Sequence, residues 1–96
     1  AERVSAADAL TLGLINQMTS PDTLMVEAFE FAKTLAAGPQ IAYAYIKDNL
    51  DEAMEIDHAA AIDREADRLL KARSTDDHKE AVAAFAEKRP PKFQGR

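Results

Sequence analysis

The chain has 96 residues, a formal net charge of −5 and no cysteine. The acidic balance argues against non-specific binding to nucleic acid, which requires net neutralisation of phosphates. The lack of cysteine excludes disulfides, a thiolate nucleophile and cysteine metal sites, and it favours a cytoplasmic setting. No run approaches the roughly 20 apolar residues of a membrane-spanning helix, so no membrane partner is expected. Alanine supplies much of the apolar content, which favours closely packed helices.

The chain begins with signals for a short helix and a short strand. Ser5 can cap a helix and Gly13 suits the left-handed position just past a helix end, so a helix is predicted over residues 5–12. Apolar and polar residues then alternate, which predicts a strand near 14–18. Because an isolated strand is unstable, its partners are expected to come from outside this chain or from a second copy.

Longer helices are predicted to follow this strand. Ser20, Pro21 and Asp22 supply a cap, a proline at the first helical position and an acid in the first turn. The turn between the next two helices is expected at Gly38, and Pro90 ends the last helix because it disfavours helix at the preceding residue. The predicted helices cover residues 21–37, 39–51, 54–73 and 75–89. The predicted fold class is therefore all-α, with about five helices and one short strand.

The usual signatures of catalytic or metal sites are weak or absent. Glu55-x-x-His58 has the spacing of carboxylate-bridged metal sites on a helix, but such sites need a second copy of the motif and further glutamates, so surface charge is the better interpretation. His78 follows two aspartates, yet no G-x-S-x-G or H-E-x-x-H motif accompanies it. We therefore predict no catalytic residue and no metal ligand in this chain.

The C-terminal end is locally basic. From Lys88 to Arg96 there are four basic residues and no acidic one. Phe85 and Lys88 are three residues apart, so they are expected to share a helical face. One interpretation is that Val82 and Phe85 are core residues and Lys88 is simply exposed. The other is that the aromatic edge and the lysine receive a phosphorylated aromatic ligand such as an adenine nucleotide.

The order of several segments resembles the C-terminal third of the crotonase superfamily, the enoyl-CoA hydratase/isomerase family. These segments are Val4–Asn16, Leu35–Pro39, Ile46–Leu50, Thr75–Ala81 and Ala84–Phe93. Each is weak alone, but their order and separations are specific, and together they cover essentially the whole chain. Alanine stands at Ala81, where glycine is common in the family.

The resemblance implies a fold and an activity. In this family an upstream βαβ core holds the acyl-CoA thioester and the catalytic residues, and backbone N–H groups form an oxyanion hole there. Residues 1–96 would form the C-terminal helical region without that core. The predicted strand would then be the last strand of the missing sheet. The parent would act on acyl-CoA thioesters, with hydration of 2-enoyl-CoA as the default reaction, and this fragment alone is expected to be inactive.

The resemblance also implies partners and a binding site. Phe85 and Lys88 match an aromatic and a lysine that contact the adenine and phosphate end of CoA bound to a neighbouring subunit. The expected cofactor content is none beyond the CoA moiety of the substrate. The parent would be a homo-oligomer, a trimer or a dimer of trimers, and the fragment would self-associate. The alternative is a stand-alone helical self-association module without catalysis.

Overall fold

Five α-helices account for the regular structure of residues 2–96, which are the residues described by this computed structural model. The helices are α1 (Ala6–Thr11), α2 (Leu24–Ala36), α3 (Gln40–Glu52), α4 (His58–Arg73) and α5 (Asp76–Glu87). The all-α fold class predicted from the sequence is confirmed. The described chain divides into two units, one that ends at Lys33 and one that spans Thr34–Arg96. No helix among residues 2–96 is long and apolar enough to cross a membrane.

The first unit contains the short helix that its caps predicted. The Ser5 hydroxyl accepts a hydrogen bond from the Asp8 N–H at 3.1 Å, and Gly13 ends α1 with φ of 72°. The prediction of a strand near 14–18 is wrong, because no strand forms in the described residues. Strand pairing requires a neighbouring strand for its N–H and C=O groups, and residues 2–96 supply none.

The start of α2 lies three residues later than the sequence suggested. The Ser20 carbonyl accepts from Thr23 N at 3.2 Å and from Leu24 N at 3.0 Å. These bonds make residues 21–23 a turn, and the α-helix begins only at Leu24.

In the second unit a tight corner joins α2 to α3. Gly38 is buried, and a Cβ placed on it would lie 2.3 Å from the Tyr43 hydroxyl oxygen. The Gln40 side-chain amide donates to the carbonyls of Leu35 at 2.6 Å and Gly38 at 3.1 Å. This amide therefore satisfies backbone acceptors that the end of a helix leaves open.

Packing in the second unit runs from α3 to α4 and from α4 to α5. The Arg68 guanidinium joins the first pair, donating to Asn49 Oδ1 at 2.7 Å and to Glu52 Oε1 at 2.5 Å. Helix α4 begins at His58 rather than at residue 54, because the Asp57 carboxylate caps it by accepting from Ala60 N at 2.9 Å.

The described residues build very little core. Ala84 is their only buried apolar residue. Large apolar side chains in both units are exposed, including Phe29, Leu50 and Leu69. Burial of apolar area is the main favourable contribution to folding, so the exposed faces of these helices need a further surface to pack against.

Candidate ligand site at the end of the last helix

Helix α5 has well-formed ends. The Thr75 hydroxyl accepts from His78 N at 3.1 Å and so caps the start of the helix. At its end, Lys88 adopts the left-handed conformation with φ of 54° and ψ of 40°. Lys88 N donates to the Phe85 carbonyl at 3.2 Å and Arg89 N to the Ala84 carbonyl at 3.0 Å. This pair of bonds is a Schellman motif, which ends the helix at Glu87, three residues before Pro90 and two residues before the predicted end at 89.

The two residues singled out from the sequence lie on either side of this helix end. Phe85 is in the last turn of α5 and is 88% exposed, and residues 2–96 do not cover Val82 either. Lys88 is exposed but lies outside the helix, so the expectation of a shared helical face is wrong. The backbone bond between Lys88 N and the Phe85 carbonyl nevertheless keeps the two backbones within a single turn.

Arg89, the next basic residue, is engaged by acidic side chains. Its guanidinium makes a two-pronged contact with Glu80, at 2.5 Å and 3.0 Å, and its Nε donates to Glu87 at 2.5 Å. The Arg89 guanidinium, together with the Lys92 N–H, lowers the pKa of the Glu80 carboxyl to about 2. The same carboxylates raise the pKa of Arg89, Glu80 contributing most. Within residues 2–96, the ammonium of Lys88 makes no ion pair.

The tail after α5 folds back onto the start of the same helix. Asp77 is 4% exposed, and its carboxylate accepts from Gln94 N at 2.7 Å and from Gly95 N at 3.0 Å. The Asp77 N–H donates in turn to the Arg96 carbonyl at 3.0 Å. The sequence indicated Asp77 only as an acid near a helix start, because its partners lie 17 or more residues away and no local pattern announces them.

The other candidate groups are not brought together. Glu55 lies in the turn before α4, whereas His58 is the first residue of that helix, so the proposed Glu-x-x-His spacing does not lie on one helix. His78 is exposed in the first turn of α5. No group of three or more metal-ligating side chains occurs among residues 2–96.

Comparison with known proteins gives consistent similarities. Residues 1–96 match the model of a family described as enoyl-CoA hydratase/isomerase. The chain is 33% identical over 89 residues to a short-chain-enoyl-CoA hydratase from Clostridium acetobutylicum, covering 93% of this chain and 34% of that protein. It is 32% identical over 93 residues to a mitochondrial enoyl-CoA hydratase from Pongo abelii, covering 97% of this chain and 32% of that protein.

A solved structure gives the same result. The crystal structure of an enoyl-CoA hydratase from Polaromonas sp. JS666 superposes with a TM-score of 0.90 and 31% identity, covering 97% of this chain and 36% of that one. The chain therefore spans about one-third of the length of each of these three proteins.

Proposed function

Because this chain belongs to the enoyl-CoA hydratase/isomerase family, we propose that it is the C-terminal helical part of an enzyme that acts on acyl-CoA thioesters. Hydration of a 2-enoyl-CoA is the default reaction, since the relatives from Clostridium acetobutylicum and Pongo abelii are both enoyl-CoA hydratases. The observation that carries the proposal is the family match along the whole of residues 1–96. The chain covers only one-third of its relatives, so the catalytic groups would come from the other two-thirds and this segment alone would be inactive.

The proposed contribution of this segment to the substrate site is a contact with the nucleotide end of CoA. Adenine is a flat aromatic ring that can pack against Phe85, which is 88% exposed. A lysine ammonium is a compact charge suited to a phosphate, and Lys88 is exposed and makes no ion pair in residues 2–96. The bound CoA would belong to a neighbouring subunit.

The second proposed contribution is to assembly. Large apolar side chains of the described residues are exposed, among them Phe29, Leu50 and Leu69. These side chains are consistent with helical faces that pack on the rest of the enzyme and on other subunits of a trimer or a dimer of trimers. The same exposed faces also suit the alternative, a stand-alone module that self-associates without catalysis. An upstream reading frame that encodes an oxyanion-hole region would favour the enzyme, and a start codon just before Ala1 would favour the module.

The CoA contact is tested by substitution in the full-length protein. We expect Lys88→Ala to weaken binding of a CoA thioester by roughly 5- to 150-fold, because a partly desolvated charged hydrogen bond is lost. Phe85→Ala should also weaken it by loss of aromatic packing. Neither change should affect the matching N-acetylcysteamine thioester, which lacks the nucleotide.

The matched control is Lys47→Ala, which removes an exposed lysine from α3. This variant should bind both thioesters as the unmodified protein does. Equal losses for the two thioesters in Lys88→Ala would overturn the proposed CoA contact.

A further inference from the structure

We propose that Glu80 is a positioning residue for the CoA phosphate site, because it binds Arg89, which would otherwise compete with Lys88, and fixes the backbone that presents Lys88. This inference rests on the proposed role of Lys88 in CoA binding. Glu80 itself lies in α5 and does not contact the proposed ligand.

Charged neighbours of Lys88 could compete with it or neutralise it at the helix end. Lys88 is flanked in sequence by Glu87 and Arg89. Glu87 could neutralise the lysine, and Arg89 could compete with it for a phosphate. The structure removes both possibilities, because the Arg89 guanidinium is bonded to Glu87 and, through two nitrogens, to Glu80. Lys88 is therefore left without an ion pair among the described residues.

Glu80 also acts on the backbone at Lys88. A left-handed conformation is unfavourable for a lysine, because its Cβ approaches the following carbonyl oxygen. Lys88 adopts this conformation with φ of 54°, and the surrounding contacts must hold it there. Glu80 binds the chain on the far side of Lys88 at two points, the Arg89 side chain and the Lys92 N–H, the latter at 2.9 Å. These contacts tie residues 89–92 to the body of α5 and so restrict the path of the chain through Lys88.

Positioning of Lys88 can be separated from general stabilisation of the tail. Asp77 also holds the tail to α5, through Gln94 N and Gly95 N, but it does not contact Arg89. Asp77→Asn is therefore a matched control for Glu80→Gln. Both changes remove one negative charge from α5 and weaken a tail contact, but only Glu80→Gln disturbs the groups next to Lys88.

The experiment is a double-mutant cycle in the full-length enzyme, with the Kd of free CoA and the kinetics of the CoA and N-acetylcysteamine thioesters as readouts. Glu80→Gln is expected to weaken CoA binding by about fivefold or more and to raise KM for the CoA thioester with kcat unchanged. In the Lys88→Ala background, Glu80→Gln should cause no further loss. Asp77→Asn should leave CoA binding near that of the unmodified protein.

Each other outcome contradicts either the positioning role of Glu80 or the CoA contact of Lys88. If Lys88→Ala weakens CoA binding but Glu80→Gln does not, the positioning role is wrong and the CoA contact stands. The positioning role is also wrong if Glu80→Gln has the same effect with and without Lys88, or if Asp77→Asn weakens CoA binding equally. If Lys88→Ala has no effect specific to the nucleotide, the proposed function fails and the positioning role fails with it.

Discussion

Replacement of Lys88 by glycine should stabilise the protein and weaken its binding of CoA at the same time. Lys88 is the only non-glycine residue with a positive φ among residues 2–96. The left-handed conformation costs an L-residue about 1–2 kcal/mol. Glycine avoids this cost but loses about 0.5–1 kcal/mol more backbone entropy on folding. The net stabilisation expected for Lys88→Gly therefore lies within about 0–1.5 kcal/mol, with a central value of about 0.75 kcal/mol.

The assay compares Lys88→Gly with Lys88→Ala in the full-length protein. Alanine keeps the Cβ and hence the unfavourable backbone, so its free energy of unfolding should stay close to that of the unmodified protein. Both variants lack the ammonium and should lose CoA affinity equally. The measurements are the guanidinium chloride midpoint at a fixed protein concentration, since oligomer stability depends on concentration, and the Kd for CoA.

Two results would refute this reasoning. A glycine variant no more stable than the alanine variant would show that the left-handed backbone at Lys88 carries no cost. A glycine variant that binds CoA as tightly as the unmodified protein would show that the ammonium has no part in binding.

Two further predictions concern the corner before α3 and the response to acid. Gly38→Ala should destabilise the protein by about 1 kcal/mol, because the new Cβ would displace the outer end of the Tyr43 ring. In a Tyr43→Ala background, denaturant unfolding should show little of this cost, and an undiminished cost would contradict the clash. Arg89 lowers the pKa of Glu80 to about 2 in the folded state, whereas its unfolded pKa is near 4.5. The ionised Glu80 carboxylate therefore stabilises the folded state fully above pH 4.5, and this contribution is lost as the pH falls from 4.5 towards 2. Unfolding measured across this range should therefore depend less on pH in Glu80→Gln than in the unmodified protein, and equal dependence in the two proteins would exclude the Glu80 contribution.

Local signals in the sequence were sufficient to place helix ends where a single residue decides the backbone. The cap at Ser5 and the glycine at Gly13 occur where they were predicted, because each acts within about four residues. The start of α4 was missed by four residues, although Asp57 is itself a good capping residue. The apolar residues Met54 and Ile56 continued the helical pattern and concealed that cap.

Features that depend on distant parts of the chain could not be predicted in this way. The alternation near 14–18 indicated a strand, but strand formation depends on a partner that residues 2–96 do not contain. The contacts of Asp77 with the tail span 17–18 residues, and the contact of Glu80 with Arg89 spans nine. Both acids would be equally acceptable on a solvated helix face, so the sequence pattern does not reveal their partners. The candidate residues Phe85 and Lys88 came from a family resemblance, and the groups arranged around them came only from the structure.

Schellman motifs end both α1 and α5, and they differ in the residue at the left-handed position. Helix α1 ends with Gly13 N bonded to the Leu10 carbonyl at 3.1 Å and Leu14 N to the Ala9 carbonyl at 2.9 Å, the same pair of bonds that ends α5. The first motif places glycine at the left-handed position, which is the residue that local energetics favour. The second places lysine there in an otherwise identical arrangement, so the backbone alone does not explain the choice. A residue that is unfavourable for the local backbone conformation is expected where its side chain serves another purpose. The Lys88 ammonium, which makes no ion pair in residues 2–96, and the exposed Phe85 in the preceding turn are suited to a phosphorylated aromatic ligand.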